Sequence, residues 1–444
     1  MSRNRLLCWM LIPLVTGVFA LPTLAAEAKP PDHSAAVAEK RDRGPTEAER
    51  KKRQAERRKQ AEERAESLRK LMQRVGLGPG AVVADVGAGK GQDSWVLADI
   101  VGPEGKVYAE EIGQEKVDRL KEEAKRRQLP QVQAILGRAD DPCLPEASVD
   151  VAYMRHVYHH FSKPREMLRH LWRSLKPGGY LVVVDRHRGT LRDWVPREAR
   201  AKKHYWIAET TVVREAREEG FAFSDCAEDC WPAEDQFVLI FQRPVGVETP
   251  GGDPDAPLPL PLEKTARLLA PTSGTYRRPV FVALGQARQL IGSLMAQASG
   301  PGLDVVLEEW ATQKDERPPL PPGVELPPVL TENGQAELGP DPVDVVFFLD
   351  TYHLLFHHQT LLAQLHEHLT PDGRVYVLDR RAEENLPRRE ASHRRKIAPE
   401  KVKQEMAEAG FYFWSERPAP AADRFLLVFG KRPPAEEVPP ATTR

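Results

Sequence analysis

The chain has 444 residues, enough for two or three domains that each bury a hydrophobic core. Its 64 Lys and Arg residues balance 65 Asp and Glu residues, so no overall charge favours nucleic acid or an anionic membrane surface as a partner. Length and charge therefore exclude a single small module and a charge-driven binding protein, and no nucleic-acid partner is indicated.

Residues 1–26 predict a signal peptide. Arg3 and Arg5 are followed by an apolar stretch and then by small residues that end at Ala26. This layout predicts an exported protein, either periplasmic or secreted. The alternative is that the segment stays uncleaved and anchors the chain, which would be the only membrane contact that the sequence indicates. Residues 27–45 are polar and predict a disordered spacer.

Three cysteines remain once the signal peptide is removed, an odd number that cannot form a complete disulfide framework. Cys226 and Cys230 either close a small disulfide in an oxidising compartment or remain two free thiols, and the sequence favours neither. A metal site at this pair is less favoured, because no other Cys or His pair lies nearby at ligand spacing.

A long charged helix is predicted over residues 46–75, where it leads into the first domain. Thr46 and Glu49 have the spacing of a capping box, in which each side chain bonds the backbone N–H of the other residue. Only the C-terminal end of this segment is apolar, so we expect that end to pack on the domain that follows.

Residues 76–245 alternate short β runs with helical segments. Examples are the strand-like "AVVADV" and "GYLVVVDR" and the helix-like "QEKVDRLKEEAKRRQ". Such alternation predicts an α/β domain of the Rossmann-like type, with a mostly parallel sheet and helices on both faces. The last run, "QFVLIFQRP", is expected to be an antiparallel edge strand.

The second half of the chain repeats the first. A linker rich in Pro and Gly is predicted over 246–275, a second domain over 276–432 and a disordered tail over 433–444. "SVDVAYMRHVYHHF" corresponds to "PVDVVFFLDTYHLL", which sets Asp150 opposite Asp344, and "LKPGGYLVVVDR" corresponds to "LTPDGRVYVLDR". The sequence therefore predicts two tandem domains of one fold that pack on each other.

Gly87, Gly89 and Gly91 follow the first strand of the first domain and precede a helix. Glycines at this place let the backbone turn sharply and approach a ligand, and the helix start offers free N–H groups. Glu111 ends the next strand, where a carboxylate accepts the hydroxyls of a ribose. Asp85 lies beside the turn, where it would repel a pyrophosphate but suit a cationic amino-acid group. The cofactor predicted from these residues is S-adenosylmethionine rather than a dinucleotide.

The motifs "VVADVGAGKGQD", "VGPEGKVYAEEI", "DDPCLPEASVDVAYMRHVYHHF" and "LRHLWRSLKPGGYLVVVD" resemble the class I S-adenosylmethionine-dependent methyltransferases of the type 11 and ubiquinone-biosynthesis-like group. The resemblance covers roughly residues 70–244 and says nothing of the substrate. It implies that the glycine turn holds the methionine part and that Glu111 binds the ribose. It also implies that Asp140 or Asp141 lies near the adenine, and that residues 155–160 border the substrate.

His156, His159 and His160 follow the fourth strand at its C-terminal end, where open α/β sheets bind their ligands. One of them is a weak candidate for a catalytic base or substrate ligand, and the alternative is a polar cluster that lines the loop. Relatives of this group usually carry Asp where His156 stands, so no family role transfers to it. His159 recurs as His353, which favours loop architecture for that pair, and no metal site is predicted.

The second domain is predicted to be a degenerate copy. Gly285 stands opposite Gly87 and Glu309 opposite Glu111, but the other positions of the turn carry side chains. Added side chains in a turn built for close approach are expected to exclude the cofactor. The replaced residues are Asp85, Gly89 and Gly91, which correspond to Ala283, Ala287 and Gln289.

These observations favour a tandem methyltransferase whose N-terminal domain acts on an unidentified small-molecule acceptor. The alternative is a non-catalytic cofactor-binding or scaffolding protein that keeps the fold. A dinucleotide-dependent oxidoreductase is a third hypothesis, which Asp85 and the motif order disfavour.

Overall fold

The computed structural model describes residues 46–186, 207–231, 235–271, 276–283, 288–297, 306–308, 338–355 and 358–434. The predicted signal peptide, spacer and nearly all of the tail lie outside these ranges. The chain divides into two compact units, residues 1–60 and 61–444. Among the helices of the described ranges, none has both the length and the apolar character needed to cross a bilayer.

Helix α1 (Glu47–Arg74) matches the predicted charged helix. Its capping box is formed, because Thr46 N donates to Glu49 Oε2 at 2.8 Å and Glu49 N donates to Thr46 Oγ1 at 3.3 Å. Its C-terminal end is buried at Leu68, Leu71 and Met72, as the apolar pattern predicts.

Seven strands form the first sheet. They are β1 (Val82–Val86), β2 (Lys106–Glu111), β3 (Val132–Leu136), β4 (Val149–Arg155), β5 (Leu175–Arg186), β6 (Ala222–Cys226) and β7 (Gln236–Gln242). Their order is β3-β2-β1-β4-β5-β7-β6. Strands β1 to β5 pair in parallel, whereas β7 is antiparallel to both of its neighbours.

The prediction that the last run is an edge strand is wrong. Strand β7 lies inside the sheet, with β6 outside it. The reason lies in burial: β7 is buried at five consecutive residues, as a strand covered on both faces must be, whereas β6 is mostly half-buried. A short, partly polar strand is better suited to an edge.

Helices cover both faces of the first sheet. On one face α4 (Pro164–Ser174) and α5 (Glu209–Glu218) contribute Leu168 and Val212 to a core. On the other, α2 (Gln92–Val101) and α3 (Gln114–Arg126) contribute to a second core, which also receives the buried end of α1. The parallel strands consequently meet along one edge, at which β1, β2, β3 and β4 all end.

The second domain has six described strands. They are β8 (Pro279–Ala283), β9 (Val306–Glu308), β10 (Val343–Leu349), β11 (Leu369–Arg380), β12 (Tyr412–Arg417) and β13 (Arg424–Gly430). Their order, β12-β13-β11-β10-β8-β9, repeats that of β6-β7-β5-β4-β1-β2. The prediction of two tandem α/β domains is confirmed. The helices are α6 (Leu262–Leu269), α7 (Arg288–Gln297), α8 (His358–His368), α9 (Arg388–Arg394) and α10 (Pro399–Glu408).

The predicted linker is shorter in the structure than the sequence indicates. Helix α6 lies within 246–275, and its Ala266 and Leu269 are fully buried in the core of the second domain. The density of Pro and Gly before residue 262 concealed a short amphipathic helix directly after it. Segment 262–269 is thus part of the second domain.

The two domains share local irregularities as well as strand order. The β4–β5 register shifts between Val149 and Val151, and the β10–β11 register shifts between Val343 and Val345. The residue directly after β4 and the residue directly after its counterpart β10 both have a left-handed backbone. They are His156, with φ 57°, and Asp350, with φ 55°. Three pairs of corresponding positions therefore share backbone geometry as well as sequence pattern. They are residues 149 and 343, residues 151 and 345, and residues 156 and 350.

Helix α9 of the second domain packs on β6 of the first domain, and its side chains bond Glu209 at the start of α5. Glu209 accepts hydrogen bonds from Arg389 Nε at 2.8 Å and Nη2 at 2.7 Å, and it lies 3.1 Å from His393 Nε2. Arg394 Nη2 donates to Ser224 O at 2.9 Å. Glu209 and His393 are 2% and 1% exposed, so this ion-pair cluster lies in a desolvated contact between the domains.

Candidate active site

The three predicted glycines all adopt the left-handed conformation, with φ of 71° at Gly87, 60° at Gly89 and 75° at Gly91. A Cβ on Gly87 would lie 2.5 Å from Val157 Cγ2, and one on Gly91 would lie 2.3 Å from the Trp95 ring. A Cβ on Gly89 would meet nothing within 4 Å. Gly87 and Gly91 are thus required by packing and backbone together, whereas Gly89 faces open space.

Strand β2 holds this glycine turn through three consecutive N–H groups. Gly87 N donates to Glu110 Oε2 at 2.9 Å, Ala88 N to Glu110 O at 2.8 Å and Gly89 N to Glu111 Oε1 at 3.1 Å. Glu111 also lies 2.9 Å from Lys116 Nζ. The turn that the sequence assigns to the cofactor is therefore fixed by the two adjacent carboxyl groups at the end of the neighbouring strand.

Asp85 is 3% exposed and accepts a hydrogen bond of 2.5 Å from Ser94 Oγ. Burial raises its pKa to about 7, and the nearby carboxylate of Asp93 acts in the same direction. Asp93 is itself paired with Arg64 Nε at 2.9 Å and Arg155 Nε at 2.6 Å. Sequence reasoning missed the trio of Asp93, Arg64 and Arg155. The only signal for it was an acid two residues after Gly91, at a helix start.

The three candidate histidines have different environments. His159 is 3% exposed, with Nδ1 at 2.7 Å from Asp185 Oδ1, and its backbone N donates to Asp185 Oδ2 at 3.0 Å. His353 and Asp379 repeat both contacts, at 2.7 and 2.9 Å. His160 is exposed, and its ring lies against that of His159 in a tilted arrangement with ring centroids 4.0 Å apart. The repetition supports the architectural reading of the His159 pair.

His156 is half-buried and held in one tautomer. Its Nε2 lies 2.9 Å from Gln236 Oε1, which also accepts a hydrogen bond of 3.1 Å from Trp231 Nε1. Because an indole nitrogen only donates, the Gln236 atom is oxygen and His156 Nε2 carries the proton. Burial lowers the pKa of His156, and the Arg155 and Arg186 cations lower it further. The ring is therefore neutral at pH 7, and the lone pair on Nδ1 faces Arg155 Nη1 at 3.4 Å.

Asp140 and Asp141 lie in the loop after β3, and their carboxylates contact α4 and its N-terminal flank. Asp140 Oδ2 is 3.0 Å from Lys163 Nζ, and Asp141 Oδ1 is 3.5 Å from His170 Nδ1 and accepts Cys143 N–H at 2.8 Å. Cys226 and Cys230 lie far from this loop in the sequence. Of the two alternatives for this pair, a disulfide or two free thiols, the structure has the free thiols.

The second domain replaces the His156–Gln236 pair with an ion pair. Asp350 corresponds to His156. Arg424 corresponds to Gln236, because Arg424 pairs with the last residue of β11 and Gln236 pairs with the last residue of β5. Arg424 donates to Asp350 through Nε at 3.0 Å and Nη2 at 2.8 Å. The turn itself, including Gly285 and Ala287, lies outside the described residues, as does Glu309.

The residues of the first domain fit S-adenosylmethionine. The turn has a cradle at Gly89 that a side chain would fill, a buried carboxyl group at Asp85 and a carboxylate at Glu111. These groups suit an amino-acid moiety and a ribose better than a phosphate, because acidic side chains repel a phosphate group. The strand order, with its antiparallel seventh strand inserted beside β5, and this turn define a class I methyltransferase domain. The predicted class is confirmed, and S-adenosylmethionine is the cofactor of that class.

Comparisons with known proteins agree with this class. Residues 84–183 match the family model described as "Methyltransferase domain". An uncharacterised 37.1 kDa protein in transposon TN4556 of Streptomyces fradiae is 37% identical over 107 residues, 24% of this chain and 30% of that protein. Demethylmenaquinone methyltransferase of Listeria welshimeri is 27% identical over 126 residues, 28% of this chain and 53% of that enzyme. The chain thus spans about half or less of these relatives.

Among solved structures, a SAM-dependent methyltransferase from Aquifex aeolicus is similar at 26% identity and a TM-score of 0.34. The match covers 40% of this chain and 89% of that chain.

Proposed function

We propose that the first domain transfers a methyl group from S-adenosylmethionine to a small-molecule acceptor. The observation that carries this proposal is the left-handed cradle at Gly89, flanked by the carboxyl groups of Asp85 and Glu111. All three lie where the parallel strands end, which is where open α/β sheets bind their ligands.

In this proposal each of these residues has one task. Asp85 binds the ammonium of the amino-acid part. Glu111 accepts the ribose hydroxyls through Oε1, the oxygen that also accepts the Gly89 N–H, while Lys116 and the Ile112 N–H hold Oε2. S-adenosylmethionine supplies a methyl group on a positively charged sulfur, and the displacement needs donor and acceptor in line. The contribution of the chain is mainly positioning, so the rigid turn matters more than any covalent chemistry.

His156 is the histidine best suited to take a proton from the acceptor. It is neutral at pH 7, its tautomer leaves the lone pair on Nδ1, and it follows β4 at the ligand-binding edge. His159 is unsuited, because its ring is tied to Asp185 in an arrangement that the second domain repeats. An acceptor that loses no proton on methylation would not need His156.

We further propose that the second domain is a duplicated copy that binds no cofactor and supports the first. The shared strand order, bulge and left-handed residues support duplication. The partly buried Asp350–Arg424 pair fills the place of His156 and Gln236 with charges that satisfy each other. The Glu209 cluster then gives the copy a structural task, which is to hold α5.

Transfer of a radiolabelled methyl group from S-adenosylmethionine tests the activity. The panel contains demethylmenaquinone, which the name of the Listeria relative suggests, together with small hydroxyl, thiol and amine acceptors. We expect label in at least one acceptor, and none with Gly89→Arg. Cofactor binding without transfer to any acceptor would instead support the non-catalytic alternative.

A further inference from the structure

Glu110 has no assigned part in cofactor binding, yet its carboxyl group lies under the glycine turn. Its side chain is 2% exposed, and Oε2 accepts the Gly87 N–H at 2.9 Å. Its backbone oxygen accepts the next N–H, that of Ala88, at 2.8 Å. One residue of β2 therefore fixes two consecutive peptide units of the turn.

The other carboxyl oxygen of Glu110 occupies a space that a glycine leaves open. A Cβ added to Gly137, the residue after β3, would lie 1.8 Å from Glu110 Oε1 and 2.7 Å from its carboxyl carbon. Gly137 does not have a left-handed backbone, so the backbone does not demand glycine there. The demand comes from the carboxyl group, which is wedged between the end of β3 and the glycine turn.

A buried carboxyl group at this place is costly unless it does something there. Glu110 is close to the acidic side chains of Glu111, Asp85 and Asp141, and burial raises its pKa to about 8. The group is therefore mostly neutral at pH 7, which spares the site a further negative charge. An apolar residue of similar size would fill the same volume without these costs but would leave the Gly87 N–H without an acceptor.

We propose that Glu110 is a positioning residue: by accepting the Gly87 N–H it holds the glycine turn in the shape that binds S-adenosylmethionine, and Gly137 provides room for its carboxyl group. This inference rests on the proposed function. Glu110 touches the turn and not the cofactor, so its effect on binding passes through the backbone of Gly87 to Gly89.

Three variants of the full chain separate the acceptor from the volume. Glu110→Gln keeps an oxygen acceptor and the neutral state, so we expect its dissociation constant for S-adenosylmethionine to stay within about threefold of wild type. Glu110→Met keeps the volume but removes the acceptor, and a buried N–H without a partner should weaken binding about tenfold or more. Gly137→Ala displaces the carboxyl group and should weaken binding to a similar degree.

Two measurements are made on each variant. Calorimetry gives the dissociation constant, and hydrogen–deuterium exchange of the peptide covering 84–93 reports on the turn in the cofactor-free chain. We expect exchange in this peptide to quicken about tenfold for Glu110→Met and Gly137→Ala but not for Glu110→Gln. In a Glu110→Ala background, Gly137→Ala should change neither quantity, because the group it displaces is gone.

The outcomes distinguish this inference from the proposed function. A wild-type chain that binds no S-adenosylmethionine contradicts the proposed function. In that case the hydrogen–deuterium exchange data alone test whether Glu110 stabilises the turn. Wild-type affinity and exchange in both Glu110→Met and Gly137→Ala would overturn the inference while leaving the function intact. Loss in Glu110→Gln equal to that in Glu110→Met would also overturn it, because the acceptor would then not be what matters.

Discussion

Glu209→Gln removes one charge from the buried cluster between the two domains. Burial alone would raise the pKa of Glu209, but His393 and Arg389 outweigh it and lower the pKa from 4.5 to about 2. A lowered pKa means that the folded state favours the carboxylate, and this fall corresponds to about 3 kcal/mol of stability at neutral pH. The variant also removes the carboxylate that faces the buried His393 and leaves Arg389 with Glu228 as its remaining acidic partner.

Urea unfolding at several pH values tests this contribution. Because the pKa is depressed, the stabilisation is complete above about pH 4.5 and is lost as the pH falls towards 2. The difference in the free energy of unfolding between wild type and Glu209→Gln should therefore be largest at pH 6 to 7 and should decrease below pH 4.5. The matched control is Glu123→Gln, since Glu123 has a similarly lowered pKa owing to Arg126 and Arg127 but lies on the surface of α3.

Solvent screening should make the Glu123→Gln change small. Two results would refute the reasoning. One is an equal loss of unfolding free energy in Glu209→Gln and Glu123→Gln, and the other is a stability difference between wild type and Glu209→Gln that does not vary between pH 7 and pH 4.

Three other predictions concern the site. The affinity for S-adenosylmethionine should rise about tenfold from pH 6 to pH 8, as Asp85 with its pKa of about 7 ionises, and calorimetry should find a flat profile in Asp85→Asn. For an acceptor that loses a proton, His156→Ala should lower kcat by about 10² or more in steady-state kinetics, with an unchanged dissociation constant for the cofactor. Gly87→Ala should lower the urea midpoint more than Gly89→Ala, because both adopt positive φ but only Gly87 lacks room for a methyl group; equal midpoints would contradict this.

Much of the fold follows from the sequence, because apolar runs and helical periods report burial directly. The alternation of "AVVADV" with charged helices predicts the parallel part of the first sheet, and the repeat predicts the second. The unbroken apolar run of β7 suits an interior strand, but that run alone does not determine which strand takes the edge of the sheet. The edge position depends on the pairing of β6, a short strand whose polar residues give no alternating pattern.

The same distinction applies to the site. Features that depend on residues close together in the sequence could be predicted, whereas features that depend on contacts between separate elements could not. The glycine turn and Glu111 could be found because the chemistry and the backbone demand sit within one short stretch. The roles of Arg155, Gln236 and Glu110 could not, because each depends on a partner in another element: Asp93, His156 and Gly87. Single-residue chemistry suggests candidate residues, and only the fold shows which of them meet.

Calorimetric titration of the full chain with S-adenosylmethionine tests the central claim most directly. We predict one binding site per chain. It should be abolished by Gly89→Arg, which fills the cradle of the first domain, and unaffected by Gly285→Arg in the turn of the second domain, where Gly285 corresponds to Gly87. Two sites per chain, or a single site lost with Gly285→Arg and kept with Gly89→Arg, would contradict the account.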